Sequence, residues 1–202
     1  MNDLTDFKTA LREAAFARRR EAHDADLSAN GAASRAAMAH FLAAGLHTGA
    51  GVISGYCPIR TEIDPSPLME KLHSAGHRLC VPVIRGRGLA LGFREWRPGA
   101  AMIEGAFGAM IPAGGDWLEP ELLIAPLLAF DAAGGRLGYG GGFYDRSLEG
   151  LRAERPTLAV GFAYSAQQVD AVPRDATDQP LDAIVTERGL IRPISAHVRG
   201  RG

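Results

Sequence analysis

The chain has 202 residues, enough to bury the core of one sizeable domain, and its 47% hydrophobic and 22% charged residues place it with globular rather than disordered or collagen-like proteins. Twenty-two basic against 23 acidic residues leave a formal charge of −1, so no global field favours nucleic acid or an anionic membrane as partner. The longest apolar run, residues 122–130, is broken by Pro126 and falls well short of the ~20 residues that a membrane-spanning helix needs.

The N-terminus mixes acids and bases from its third residue and has no apolar secretory stretch, so a cytoplasmic address is expected. Residues 3–23 read as an amphipathic helix with Leu4, Phe7, Leu11 and Ala14/Ala15 on one stripe, which makes Lys8 and Arg12 neighbours on its surface. The basic run Arg18 to Arg20 reads as a solvated helix end. A second helix is expected from Ser28 or Asn30, with Met38, Phe41 and Leu42 inward and a stop near Gly45. The glycine-bounded run 51–59 predicts a buried strand ending at Pro58. After it, RTEIDPSP reads as a loop, and Leu68, Met69 and Leu72 mark a short helix closed by Gly76.

A strand over 77–84, a turn at 85–88 and a strand over 89–96 predict an antiparallel hairpin, while the Gly- and Pro-rich stretch 98–115 reads as loop. Residues 122–130 carry the strongest strand signal, apolar on both faces like a covered central strand, with Pro126 marking an interruption. A helix over 143–151, a strand over 157–164, a helical turn at 167–169 and a last strand at 183–186 complete the alternation. It predicts an α/β fold, a single Rossmann-like domain over 1–202 built as a three-layer αβα sandwich on a mostly parallel sheet. No internal repeat or linker interrupts it.

Cys57 and Cys80 lack CxxC spacing and read as buried thiols rather than a disulfide or zinc knuckle. His73 and His77 have the i, i+4 spacing of helical zinc ligands, but Gly76 breaks the helix and no HExxH pattern exists. His23, His40, His47 and His197 have no companion Cys or acid cluster, and no GxSxG elbow supports a serine hydrolase.

The nine residues 134–142, GGRLGYGGG, contain six glycines between a central strand and a helix start. Consecutive backbone N–H groups and the positive end of a helix can together hold phosphate oxygens there, and glycine permits the close approach. Arg136, inside the loop, adds a forked cation suited to phosphate. The alternative is that these glycines only make a tight strand-to-helix turn. Two familiar templates fail: a Walker loop needs a Lys that is absent, and a dinucleotide fingerprint needs Gly or Ala where Phe143 stands.

The stretch LLIAPLLAFDAAGGRLGYGGGFYDR closely resembles the signature of the 5-formyltetrahydrofolate cyclo-ligase family, also called methenyltetrahydrofolate synthetases. Lys8 and Arg12, the CPIRTEID segment and the closing TDQPLDAIVTE extend the resemblance over most of the chain. It implies a scaffold similar to the NagB/RpiA/CoA-transferase-like folds and an ATP- and Mg2+-dependent closure of 5-formyltetrahydrofolate to 5,10-methenyltetrahydrofolate. In that scheme ATP phosphorylates the formyl oxygen, nitrogen 10 attacks the activated carbon and phosphate departs. Such a reaction asks the protein to position two substrates and stabilise a transferring phosphoryl group, not to supply a covalent nucleophile.

Carried over by residue, Lys8 and Arg12 are implied as phosphate-binding cations, with Arg136, Leu137, Gly138, Tyr139, Gly140, Gly141, Gly142, Phe143 and Tyr144 as the nucleotide loop. Cys57 and Glu62 are implied at the folate, together with Tyr139 to Phe143, and Asp145 and Asp178 as magnesium positions, with Asp182 a rival to the latter. Arg136 and Tyr144 are the implied catalytic pair, and Asp64 is expected to cap the following helix. The family commonly has two tyrosines before the aspartate; here the first is Phe143, which removes a hydroxyl but keeps the ring. A non-catalytic nucleotide- or folate-binding relative is the alternative reading, and a sugar-phosphate or CoA-transferring enzyme on a similar scaffold a third. A monomer that binds neither nucleic acid nor membrane is expected.

Overall fold

The computed structural model describes residues 3–193. Helix α1 (Asp3–Ser28) leads into α2 (Ala32–Ala43), then β1 (Val52–Ser54), α3 (Ser66–Ser74) and β2 (Arg78–Val83). Four strands follow, β3 (Gly92–Trp96), β4 (Met102–Glu104), β5 (Met110–Pro112) and β6 (Trp117–Leu118). Next come β7 (Leu122–Ala125), β8 (Ala129–Phe130), β9 (Arg136–Leu137), α4 (Phe143–Glu154), β10 (Leu158–Phe162), β11 (Ala183–Thr186) and β12 (Gly189–Ile191).

Eight strands form one sheet in the order β12-β11-β10-β7-β1-β2-β3-β6, parallel from β11 to β2 and antiparallel at β12, β3 and β6. All four residues of β7 are buried, as a central strand with both faces covered requires. Leu122 and Ile124 face one core with Phe41 of α2 and Leu68, Met69 and Leu72 of α3; Leu123 and Ala125 face the other with Leu148 and Leu151 of α4. The predicted αβα sandwich is therefore present. Among the described residues no helix is long and apolar enough to cross a membrane.

The chain leaves β1 through α3 to reach β2 on one side, and leaves β7 through α4 to reach β10 on the other, with α3 and α4 on opposite faces. The carboxyl ends of β1 and β7, which pair directly, thus flank a topological switch point, the place where open α/β sheets leave a crevice.

Several expectations need correction. The first helix runs to Ser28, and Phe7 is 60% exposed; the buried face instead carries Ala15 and Arg19, with Leu11 and Phe16 packed beside it. Leu4 lies outside the described side chains, and His197 outside the described residues. Arg19 is fully buried and so is not part of a solvated helix end. The second helix starts at Ala32 because Asn30 and Gly31 take left-handed backbone angles that end α1 and redirect the chain.

The strand expected over 51–59 stops at Ser54, since Gly55 is pressed against the Met69 side chain and the chain turns over α3. Stretch 98–115 is not all loop: β4 and β5 pair as a hairpin around Phe107. The helical turn expected at 167–169 falls at Ser165–Gln167, and β12 follows the strand expected to be last. Pro126 does end β7, after which β8 and β9 form a separate hairpin carrying the glycine loop.

Candidate active site

The turn after β1 and the loop after β9 face each other across one cleft of about 1280 Å3, lined by Lys8, Arg12, Cys57, Glu62 and residues 136–146 among others. Every residue implied by the family resemblance, from Lys8 to Asp178, lines this cleft. A volume of this size exceeds an ordinary single-ligand pocket and leaves room for two substrates.

The glycine loop is anchored from below. Asp131, almost fully buried, accepts the backbone N–H groups of Ala133 (2.9 Å), Gly135 (2.8 Å) and Val172 (2.8 Å). Two of its glycines answer to packing rather than to a ligand: a Cβ on Gly134 would sit 2.6 Å from the Leu181 carbonyl oxygen, and one on Gly135 2.5 Å from an Asp131 oxygen. These two glycines sit in the β8–β9 hairpin rather than in a strand-to-helix turn, and serve its packing. Gly140 and Gly142 are different, lining the cleft with positive φ of 95° and 63°, and Gly142 immediately precedes α4. The N-terminus of α4 thus opens into the cleft, with its free backbone N–H groups available to an anion.

Cations and carboxylates interlock around that opening. The Arg136 side chain is nearly buried, donates to Asp145 (2.9 Å) and stacks 5.4 Å from the Tyr144 ring centre. Its Nε and the Tyr144 hydroxyl are buried with no hydrogen-bond partner among the described residues, two polar groups at the cleft wall that the protein itself leaves unsatisfied. Burial and the neighbouring Glu62 carboxylate push the Tyr144 phenol well above its ordinary range. Tyr144 therefore stays protonated near neutral pH, with a proton it can donate.

Lys8 spans Asp178 (2.8 Å) and Asp175 (3.0 Å). Burial pulls its pKa down, but these two acids more than reverse that and leave it raised. Asp175, held by the Thr177 hydroxyl and by Lys8, is lowered to about 2. Arg12 donates to the Gly138 carbonyl at 3.1 Å, which ties α1 to the glycine loop.

Glu62 is only 4% exposed, so it is not the surface charge its loop position suggests. Its Oε2 accepts the Ile59 N–H (2.9 Å) and its Oε1 the Tyr139 hydroxyl (3.0 Å), a bond that joins the two sides of the cleft. Burial raises its pKa, against the pull of the Ile59 N–H, Arg19, Tyr139 and Arg60. Cys80 is buried as expected, but Cys57 is only half-buried because it lines the cleft; that burial still pushes its thiol up to about 11, so it is not a thiolate near neutral pH. Asp64 is not the N-cap of α3, a place taken by Pro65, but its carboxylate accepts the Ser66 N–H at 2.9 Å in the turn before the helix. Phe143 packs its ring against Gly141 and under Arg146 at the cleft wall.

A magnesium ion takes hard oxygen ligands, commonly one or two carboxylates completed by water and substrate phosphates. Asp145 spends Oδ1 on Arg136 and on the Gln179 N–H, and Asp178 spends Oδ2 on Lys8 and on the Asp175 N–H; the second oxygen of each has no hydrogen bond among the described residues. Two such carboxylates in one cleft fit a phosphate-bound magnesium, although no cluster of three His, Cys, Asp or Glu side chains suited to a metal exists among the described residues. Asp182 does not line the cleft; its Oδ2 accepts from Arg152 and the Ala159 N–H. His77 falls beyond α3 and sets its ring edge-on to His47, which separates it from His73.

The residues that chain order hides are Arg19, Arg60, Asp131 and Gln167. Gln167, buried, donates to the Leu127 carbonyl at 2.7 Å and so supports the backbone under the loop. For Arg19 a signal exists: it falls four residues after Ala15 and eight after Leu11, on the buried stripe of α1.

Comparison with known proteins gives a consistent outcome. The profile of the 5-formyltetrahydrofolate cyclo-ligase family matches residues 5–187. A 5-formyltetrahydrofolate cyclo-ligase of Escherichia coli is 37% identical over 131 residues, 62% of this chain and 71% of that protein. One from Mycolicibacterium smegmatis is 29% identical over 195 residues, 91% of this chain and 96% of its own. The NMR structure of a 5,10-methenyltetrahydrofolate synthetase from Aquifex aeolicus superposes with a TM-score of 0.76 at 29% identity, covering 96% of this chain and 95% of that one.

Proposed function

This chain belongs to the 5-formyltetrahydrofolate cyclo-ligase family, and from that premise we propose that its cleft closes 5-formyltetrahydrofolate to 5,10-methenyltetrahydrofolate at the expense of ATP. The observation that carries this reading is the meeting of the Glu62 turn and the glycine loop in one cleft, bridged by the Tyr139–Glu62 bond. A phosphoryl group bound by the loop is thereby brought within reach of a formamide bound by the turn.

The formyl oxygen is a poor leaving group and must be activated. In the proposed sequence the γ-phosphoryl group passes from ATP to that oxygen and ADP is released. Nitrogen 10 then attacks the formyl carbon and loses its proton, and the carbon–oxygen bond breaks as phosphate leaves. The work left to the protein is alignment and charge stabilisation. Backbone N–H groups from Gly138 to Gly142, the α4 N-terminus, Arg12 and Arg136 would hold the phosphates, with Lys8 at the rim. Asp145 and Asp178 would hold magnesium, which neutralises phosphate charge when bound. The Tyr144 hydroxyl, protonated and unpartnered, would donate to the oxygen that gains charge. Glu62 would accept hydrogen bonds from the pterin N–H groups, with Cys57 beside it as a neutral wall.

Both halves of the cleft come from one chain, which supports a single catalytic unit over 1–202 working as a monomer, and we place it in the cytoplasm. The relatives named above are ligases and synthetases, which disfavours the non-catalytic reading, and family membership removes the sugar-phosphate and CoA-transfer reading. Mixing the protein with 5-formyltetrahydrofolate, ATP and magnesium is expected to raise the near-ultraviolet absorbance of the methenyl product. Absence of any ATP-dependent rise would refute the proposal.

A further inference from the structure

The Arg19 guanidinium is 0% exposed, although burying a charge is costly unless it is paired and hydrogen-bonded. None of its hydrogen-bond partners lies on its own helix. Nε donates to Thr61 Oγ1 at 3.1 Å, Nη1 to the Leu127 carbonyl at 3.2 Å, and Nη2 to the Tyr139 hydroxyl at 2.7 Å. Its Nη1 also stands 3.8 Å from Glu62 Oε1. These partners belong to three different segments of the cleft wall: the turn after β1, the chain leaving β7, and the glycine loop.

The Tyr139 hydroxyl uses both of its capacities in this cluster, accepting from Arg19 and donating to Glu62 at 3.0 Å. A guanidinium that can only donate therefore fixes the direction in which Tyr139 offers its proton, and that proton goes to Glu62. The Tyr139 ring is clamped as well, tilted against Phe16 at 5.6 Å between ring centres, with the Arg19 and Arg60 guanidinium carbons each 5.4 Å from its own centre. Arg60 reaches there from a positive φ of 56°, a backbone conformation that a non-glycine residue keeps only where its surroundings hold it.

We propose that Arg19 is a positioning residue for the cyclo-ligase reaction, acting through Glu62 and Tyr139 to hold the folate turn and the nucleotide loop in one arrangement. This rests on the reading of Glu62 as the folate contact. A hydrophobic side chain in its place would avoid the desolvation of a buried charge, but could not bond to three segments at once. A purely structural arginine would weaken the fold when replaced and would do so whatever residue stood at position 62. A positioning arginine acts on folate only while Glu62 is there to be positioned.

The test is a double-mutant cycle on 5-formyltetrahydrofolate affinity, read by calorimetric titration, with Arg19→Lys, Glu62→Gln and the pair. Arg19→Lys keeps the charge and loses the fork, and is expected to weaken folate binding about tenfold in the native background, the scale of one charge-assisted bond. In the Glu62→Gln background the same change is expected to alter affinity less than about twofold, because the two residues act as one unit. Losses that simply multiply would overturn the proposal.

If Arg19→Lys does not fold, the cycle of Tyr139→Phe with Glu62→Gln decides by the same criterion, since it removes the hydroxyl that links Arg19 to the carboxylate while keeping the ring. Multiplying losses there would overturn the proposal as well. Native protein that binds no 5-formyltetrahydrofolate refutes the functional reading and this inference together; native protein that binds normally with multiplying variant losses refutes the inference alone.

Discussion

Replacing Asp131 by Asn tests whether the glycine loop is held from below as its geometry implies. One carboxylate oxygen accepts from Ala133 and Gly135 and the other from Val172, all at 2.8–2.9 Å. Asparagine has one acceptor oxygen. If that oxygen keeps Ala133 and Gly135, its amide nitrogen meets the buried Val172 N–H, donor against donor. The change removes one charge-assisted bond and weakens two others, at a cost of about 2–4 kcal/mol. For a chain of 202 residues that corresponds to a melting point lower by roughly 5–12 °C. Urea denaturation is expected to show a lower midpoint with an unchanged slope, the mark of lost stability rather than an altered unfolded state. The KM for ATP is expected to rise more than that for the folate, because Gly135 leads directly into the nucleotide loop. A loss below about 0.5 kcal/mol, the range of an ordinary surface change, would refute this account of the loop's support.

Tyr144→Phe removes a buried hydroxyl that has no partner, so thermal stability is expected to hold while kcat falls about ten- to hundredfold; an equal fall in stability, or unchanged kcat, would remove Tyr144 from the chemistry. Arg136→Ala is expected to weaken binding of a non-hydrolysable ATP analogue far more than binding of 5-formyltetrahydrofolate, and equal losses in titration would count against its role at the phosphates. With the Cys57 thiol at about 11, its thiolate fraction at pH 8 is about a thousandth, so alkylation by iodoacetamide should be slow there and rise up to about pH 11. The unfolded chain ionises the same thiol near 9.0, so this group costs the folded protein stability as pH rises from 9 to 11; rapid alkylation at pH 7 would contradict the raised pKa of the thiol.

The order of elements and the loop that matters were legible in the chain because both are local. The all-apolar run 122–125, the proline that ends it and the glycine cluster before α4 act through nearest neighbours, and the αβα arrangement follows from their alternation. Strand lengths and the hairpin at 102–112 were not legible, since β4 and β5 pair only with each other across a Gly-rich stretch whose sequence carries no clear alternation.

The site divides the same way. Residue types and spacing were enough to single out the glycine loop and Arg136 as suited to phosphate, whereas Glu62 and Asp145 stood out only through the resemblance to the family, since in its loop Glu62 reads as a surface charge. Only the tertiary structure decided that Glu62 is buried and bonded to Tyr139, 77 positions away, or that Lys8 meets Asp178, 170 positions away. The stripe of α1 hints that Arg19 faces inward, but its bonds to three distant segments under the cleft were decided by the tertiary structure. Burial and long-range pairing depend on what the rest of the chain places opposite a residue, and that information is absent from its neighbours in sequence.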